Sequence, residues 1–367
     1  MYCAGYYQSD QLYFFQYRNA TLPACALKRL IFQQKLCLKK ILFTYLFFLS
    51  NQLAFSQKII LSADSISSSF RGLSVANDKV VWVSGSKGVV GLSTDGGLTW
   101  KWNVVKGFEK TDFRDIEAFD EHTALIMAAD SPAFILRTID GGENWSVVYR
   151  NDSRGMFLDA MDFRNSREGL VVGDPVDGRF FMAATSDSGK SWKEIFFTKR
   201  PVADSGEACF AASGTNIIAL QNTGYALISG GLSSHIIINQ KKILLPLSQG
   251  TESAGANSIA SGDNNTMVVV GGNYLKKEDI SRTSAVSFDG GYTWIQPQKP
   301  PSGYRSCVEF LGNREWVSCG LNGVDLSYDD GMNWHKISDR SFNVVQKAKH
   351  GKAVYFAGSE GNVGRLQ

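Results

Sequence analysis

One eight-residue pattern recurs five times and limits this chain to very few architectures. Ser93-Thr-Asp95-Gly-Gly97-Leu-Thr-Trp100 is the first copy; the others begin at Thr138, Thr185, Ser287 and Ser327 and end at Trp145, Trp192, Trp294 and Trp334. The shared form is [Ser/Thr]-x-Asp-x-Gly-x-[Ser/Thr/Asn]-Trp, with Asp95, Asp140, Asp187, Asp289 and Asp329 in third place. Successive copies start 45, 47, 102 and 40 residues apart, so one repeat between the third and fourth lacks the motif. A period of about 40–50 residues implies a propeller or solenoid array.

The motif has a mechanical reading. Its Asp carboxylate accepts hydrogen bonds from turn amides, its Gly supplies positive φ, and its hydroxyl adds a local tie. The Trp ring is expected to lie beneath the hairpin, with the indole N–H on a nearby acceptor. Each copy therefore locks one β-hairpin, a structural task that leaves these aspartates no catalytic role.

The flanks read as short β-branched and aromatic strands. Gly72–Ala76, Val80–Ser84, Val89–Ser93 and Trp100–Val105 form the first unit. Asp115–Phe119, Thr123–Ala128, Phe134–Thr138 and Trp145–Tyr149 form the second. This is the four-stranded blade signature. The unit without a motif is assigned Ala208–Ser213, Ile217–Leu220, His235–Ile238 and Ile243–Leu247, with Asn239-Gln240-Lys241-Lys242 as a shorter turn. Near the C-terminus, Phe342–Lys347, Ala353–Gly358 and Val363–Leu366 make three strands. Lys58–Ala63 is expected to supply the fourth and close the ring. The expected fold is all-β: a seven-bladed propeller over residues 57–367, at about 44 residues per blade.

Upstream of it, Lys39-Lys40, the apolar run 41–49 and Ala54-Phe55-Ser56 compose a secretory signal peptide over 38–56, with cleavage before Gln57. The expectation is an exported, periplasmic or extracellular protein with no membrane span after cleavage, acting as a monomer. Residues 1–37 precede an otherwise complete signal and read as an upstream extension outside the mature protein. Of six cysteines, three remain beyond it: Cys209, Cys307 and Cys319. They form neither a disulfide framework nor a zinc spacing. Cys307 and Cys319 flank a turn at Gly312-Asn313, and a cross-strand disulfide or two buried thiols both fit that placement.

The motif resembles the Asp-box, or BNR repeat, of sialidases, sortilin-type receptors and Ycf48-type photosystem II assembly factors. Seven blades of this length are most similar to the Ycf48/Hcf136-like group, and to its exported relatives in non-photosynthetic bacteria that carry the label "oxidoreductase". The resemblance covers nearly all of residues 58–367. It implies a chaperone-like or assembly role for an envelope complex, with arginines contacting a protein partner. The box specifies the fold far more than the function.

In a propeller of this kind a binding site is expected on the face opposite the motif hairpins. The residues entering each first strand are Arg71, Arg114-Asp115, Asp159, Glu207, Asn257 and Arg305. Loops between second and third strands add Asp130-Ser131-Pro132, Asp174-Pro175 and Gly271–Arg282 with Tyr274. Three arginines near Asp159, Asp174 and Glu207 suit a carboxylate or phosphate ligand, because planar bidentate contact favours Arg. Mutual ion pairing of these charges across the channel mouth is the competing explanation.

An enzyme alternative borrows from sialidases, which the motif also resembles. Phe70-Arg71-Gly72-Leu73 is similar to their Phe/Tyr-Arg-Ile-Pro motif without Ile-Pro. Tyr304 would be the nucleophile, aided by Glu207, with Asp115 as acid/base, acting on an acidic glycan. A nicotinamide or flavin oxidoreductase is excluded: no Gly-x-Gly-x-x-Gly joins a strand to a helix, and no Cys-x-x-Cys-His occurs. The four histidines have no ligand spacing, so neither metal nor cofactor is expected. With 38 basic and 35 acidic residues there is no electrostatic footprint for nucleic acid.

Overall fold

The computed structural model describes residues 57–63, 66–220 and 224–367. The signal peptide and the upstream extension lie outside the described residues. Seven antiparallel sheets form a ring in which the first strand of each blade meets that of the next, blade seven returning to blade one. Blade one is Phe70–Val75, Val81–Gly85, Val89–Ser93 and Lys101–Val104; blade two is Phe113–Ala118, Ala124–Ala128, Ala133–Thr138 and Ser146–Asn151. Both match the expected strands to within two residues. Helical structure among the described residues is limited to four short 3-10 turns, and no helix there is long and apolar enough to cross a membrane.

The repeated hairpins behave as their chemistry requires. In the fourth copy Asp289 Oδ1 accepts the amides of Tyr292 at 3.0 Å and Thr293 at 2.9 Å, while the Ser287 hydroxyl donates to the same oxygen at 2.8 Å. The Gly291 amide, at φ 92°, returns to the Ser287 hydroxyl. Trp294 and Trp334 each donate their indole N–H to the motif glycine carbonyl at 2.9 Å. Trp192 departs from the pattern: its buried indole nitrogen has no acceptor among the described residues. Side-chain and amide bonds hold Asp95, Asp140, Asp187 and Asp289 down to about 2.

Ring closure follows the expected route. Ile59–Ala63 pairs antiparallel with Val363–Leu366, Ile59 facing Leu366. The seam is then pinned across blades: Trp100 donates to the Ser62 hydroxyl at 3.0 Å and Tyr355 to the Gly96 carbonyl at 2.6 Å. Cys307 and Cys319 are register partners in blade six, both fully buried free thiols.

The unit without a motif departs from its assignment. Blade four is Ile217–Ala219, Tyr225–Ile228, His235–Ile238 and Lys241–Leu244, so Tyr225–Ile228 was missed and Ala208–Ser213 is not a blade strand. Asn239 and Gln240 do form the shorter turn, both with positive φ. Only Glu207–Ala208 is extended, and with Gly230–Gly231 it joins the blade-five sheet. The rest of the run, Ala211-Ala212-Ser213-Gly214, enters the centre of the ring. Ser213 Oγ donates to the Ser306 carbonyl of blade six at 2.8 Å, and Thr215 Oγ1 to Ser258 Oγ of blade five at 2.7 Å. A Cβ on Gly214 would lie 2.4 Å from the Asp115 carboxyl of blade two. The segment is a plug, and it needs small residues because three other blades press on it.

Candidate functional site

The innermost strands share one irregularity that aims side chains at the channel. Their register skips a residue between Phe70 and Gly72, Phe113 and Asp115, Leu158 and Ala160, and Ala256 and Ser258. The extra residues are Arg71, Arg114, Asp159 and Asn257. A β-bulge re-aims a side chain by opposing two residues to one. Arg71, Arg114 and Asn257 accordingly line a cavity of about 480 Å³ on the face opposite the motif hairpins. Asp174, Phe157, Phe210, Tyr274 and Tyr304 share it, and Ala208–Ala212 of the plug form part of its lining.

Within this cavity the two arginines differ. Arg114 Nε donates to Asp112 at 2.9 Å and its guanidinium lies over the Phe157 ring, 5.6 Å from the centroid. Arg71 makes no side-chain hydrogen bond or ion pair among the described residues. Burial, then repulsion from Arg114, pulls its pKa below the usual arginine value. Neither arginine pairs with another of the expected channel-mouth charges among the described residues: Arg114 is held by Asp112, and Asp112 acts on Arg71 only at a distance.

Arg305 does not join them. Its amide bonds Gly271 as those of Phe70 and Leu158 bond Gly358 and Ala129, each at the end of the preceding blade's second strand. Arg305 thus occupies the outward position, and Ser306 takes the channel-facing place and lines the cavity. Fully buried, Arg305 pairs with Asp325 (Nε to Oδ2, 2.7 Å) and donates to Ser302, Asn322 and the Tyr304 carbonyl. The sequence placement was off by one residue because Tyr304-Arg305 looks like Phe70-Arg71 with the aromatic residue in the core position.

Glu207 is also removed from the site. Its carboxylate is enclosed by Lys242, by Ser229 and by His235 Nδ1 at 3.0 Å, and accepts the Asp204 amide at 2.7 Å. Burial alone would raise this carboxyl, yet bonds from His235, Lys242 and Ser229 hold it down to about 2. Asp204, Glu207 and His235 bring metal-ligating atoms within 4.8 Å of one another, but the Lys242 ammonium already bridges the two carboxylates, 2.9 Å from Asp204. The network anchors the plug's leading segment.

Asp159 is fully buried, and neither carboxylate oxygen has a hydrogen-bond partner among the described residues. Burial, then Asp174, pushes it well above the usual carboxylate range, opposed by Arg114. Tyr304 is buried, with its hydroxyl on Asn257 at 2.8 Å, and burial raises its pKa. Asp115 lies elsewhere: it lines a second cavity of about 210 Å³ on the other side of the plug. Tyr304, Glu207 and Asp115 thus sit in three separate environments and do not compose a catalytic set.

That second cavity is acidic, with Asp115, Glu117, Asp162 and Glu309 against Lys349, which pairs with Glu117 at 2.5 Å. Burial raises all four carboxyls, Glu309 to about 8. A carboxyl whose folded pKa exceeds its unfolded value stabilises the fold most below the unfolded value and loses that contribution as pH rises through the folded one. The motif aspartates have the opposite sign, their contribution falling away only in stronger acid. Thermal unfolding is therefore expected to show a maximum near about pH 5 and a decline toward pH 8. Glu309→Gln should flatten the decline; a melting temperature that rises steadily from pH 5 to 8 would contradict this sign.

Several of these features carry no signal in the sequence. Phe157 and Phe210 enter the cavity through folding of the plug and the blade-three entry. The signal that could have found the plug was the small-residue run 211–214, where a strand would carry β-branched side chains.

No family model and no curated protein matches the chain. Solved structures do. "YCF48 bound to D1 peptide" superposes with a TM-score of 0.59 at 14% identity, covering 84% of this chain and 94% of that one. "YCF48 from Cyanidioschyzon merolae" gives 0.57 at 16% identity, covering 84% and 98%. The WD40 propeller domain of Doa1 gives 0.58 at 13% identity, covering 84% and 97%. At these identities the likeness establishes the propeller fold.

Proposed function

We propose that this protein is a non-catalytic binding propeller, exported by the 38–56 signal, which captures an anionic group of a protein partner on its hairpin-free face. The observation that carries the proposal is Arg71: an arginine with no hydrogen-bonded or ion-paired partner among the described residues, held with Arg114 in a cavity walled by aromatic rings. An unpaired charge in a partly desolvated cavity costs free energy unless a ligand completes it. Arg71 and Arg114 take the anion, and Phe157, Phe210 and Tyr274 take the apolar surface beside it. A structurally similar YCF48 has been solved bound to a peptide, which supports a protein partner; an assembly or stability role for an envelope complex is the biological setting we propose for it. The plug shuts the channel behind the cavity, so the partner approaches from one face only.

The sialidase-like alternative has less support, because its three candidate groups do not converge. The test is capture from envelope extract by wild-type protein and by Arg71→Leu/Arg114→Leu, beside a glycan-hydrolysis screen. The proposal expects a discrete partner whose recovery falls at least about tenfold in the double variant, as the loss of a bidentate charged contact requires. Sugar release by the wild type that Tyr304→Phe removes would overturn it.

A further inference from the structure

The arginine cavity carries an opposite charge as well. Asp174 lines it together with Arg71 and Arg114. One Asp174 oxygen accepts the Cys209 amide at 3.0 Å; the other accepts no hydrogen bond among the described residues. Behind it stands Asp159, at the same bulge position in blade three that Arg71 and Arg114 hold in blades one and two. Asp159 is fully buried with both oxygens unpartnered, and its carboxylate interacts electrostatically with Asp174, Arg114 and Cys209, all of which line the cavity. Arg114 forms its ion pair with Asp112 and makes no hydrogen bond to either acid among the described residues. Going round the ring, the cavity runs from a basic wall on blades one and two to an acidic wall on blade three, with Tyr274 and Tyr304 contributed from blades five and six.

Buried carboxylates in structural networks are enclosed by donors, as Glu207 is in this same molecule. Asp159 and Asp174 are not, and the nearest guanidinium is engaged elsewhere. Two neighbouring carboxyls short of donors in a partly desolvated cavity hold on to a proton, and a cation placed against them takes that proton's place. The same cavity holds Arg71 with no ion-paired partner among the described residues. A ligand with one charge would satisfy one wall and leave the other unmet.

Resting on the binding function proposed above, we infer that the ligand group is zwitterionic: a carboxylate taken by Arg71 and Arg114, accompanied within the same small segment by an ammonium taken by Asp174, with the unpartnered Asp159 carboxyl behind it. The ligand class is an amino acid or an amino-acid-like terminus bearing an apolar side chain, which the rings of Phe157, Phe210 and Tyr274 cover. Phe210 and Tyr274 meet edge to face, centroids 6.3 Å apart, an arrangement suited to receiving a third ring.

Isothermal titration of the exported domain with L-phenylalanine, 3-phenylpropionate and phenethylamine separates the charges while keeping the ring. The expected result is that L-phenylalanine binds at least about tenfold more tightly than either singly charged analogue. Asp174→Asn, which keeps an acceptor for the Cys209 amide, should bring L-phenylalanine down to the affinity of 3-phenylpropionate, while 3-phenylpropionate binds at least as tightly as to the wild type, which also shows the variant is folded. Equal affinity for L-phenylalanine and 3-phenylpropionate, or an unchanged ratio in Asp174→Asn, overturns the zwitterion and leaves the anion site standing. Absence of binding by all three, with wild-type partner capture still dependent on Arg71 and Arg114, likewise overturns it; absence of both overturns the underlying binding function as well.

Discussion

Arg305→Leu should destabilise the protein by about 3–5 kcal/mol, because it leaves the Asp325 carboxylate buried without its partner. Arg71→Leu should change stability by less than about 1 kcal/mol, since no hydrogen bond or ion pair is lost with it. The two arginines follow aromatic residues in similar sequence settings, Phe70-Arg71 and Tyr304-Arg305, yet one faces the cavity and the other the interior of blade six. Urea denaturation of the two variants reads the difference directly. Partner binding should run the other way, lost in Arg71→Leu and retained by whatever fraction of Arg305→Leu remains folded. Replacing both members of the buried pair, Arg305→Leu with Asp325→Leu, should recover much of the loss, as paired removal of buried charges commonly does. A cost below about 1 kcal/mol for Arg305→Leu would show that the pair is not structural.

Gly214→Leu should be comparably damaging for a different reason. The residue sits at φ +68°, where an L side chain costs roughly 1–2 kcal/mol, and its first carbon would meet the Asp115 carboxyl at 2.4 Å. Overpacking adds roughly 1–3 kcal/mol, so a total on the order of 2–5 kcal/mol is expected. Gly155→Leu provides the control, since Gly155 has φ +79° with nothing within 4 Å of an added carbon. It isolates the backbone contribution. If both substitutions cost the same, the plug does not press on blade two and the channel centre is looser than described.

The fold was legible because its repeat is written in turn chemistry. Asp289 must be Asp to collect two amides, Gly291 must tolerate positive φ, and Trp294 must fill the space beneath. Such local constraints survive in sequence, and five copies at blade spacing multiply them. Ring closure was legible too, since Val363–Leu366 needed a strand partner and Lys58–Ala63 was the unassigned candidate. Blade four was not. Its hairpin lacks the box, and the run Ala208–Ser213 was read as a strand when its small residues serve a crowded passage between blades.

The site was legible only in part. Arg71, Arg114 and Asp174 were placed on one face by counting strands, and they do share a cavity. Whether a residue beside a bulge faces the channel or the core depends on a register shift of one, and residue type alone cannot reveal it. Arg305 fell on the wrong side of that shift. Glu207 was misplaced because its neighbours Lys242 and His235 arrive from later in the chain.

The pairing of Ile59 with Leu366 also sets the order in which the molecule can be completed. Those residues are roughly 300 positions apart, so the contact that shuts the ring carries the largest loop-closure entropy in the chain. Until Val363–Leu366 is in place the ring is an open arc with an unpaired edge at blade seven. Closing it is therefore expected to be a late step of folding, since it joins the two described strands that lie furthest apart in sequence.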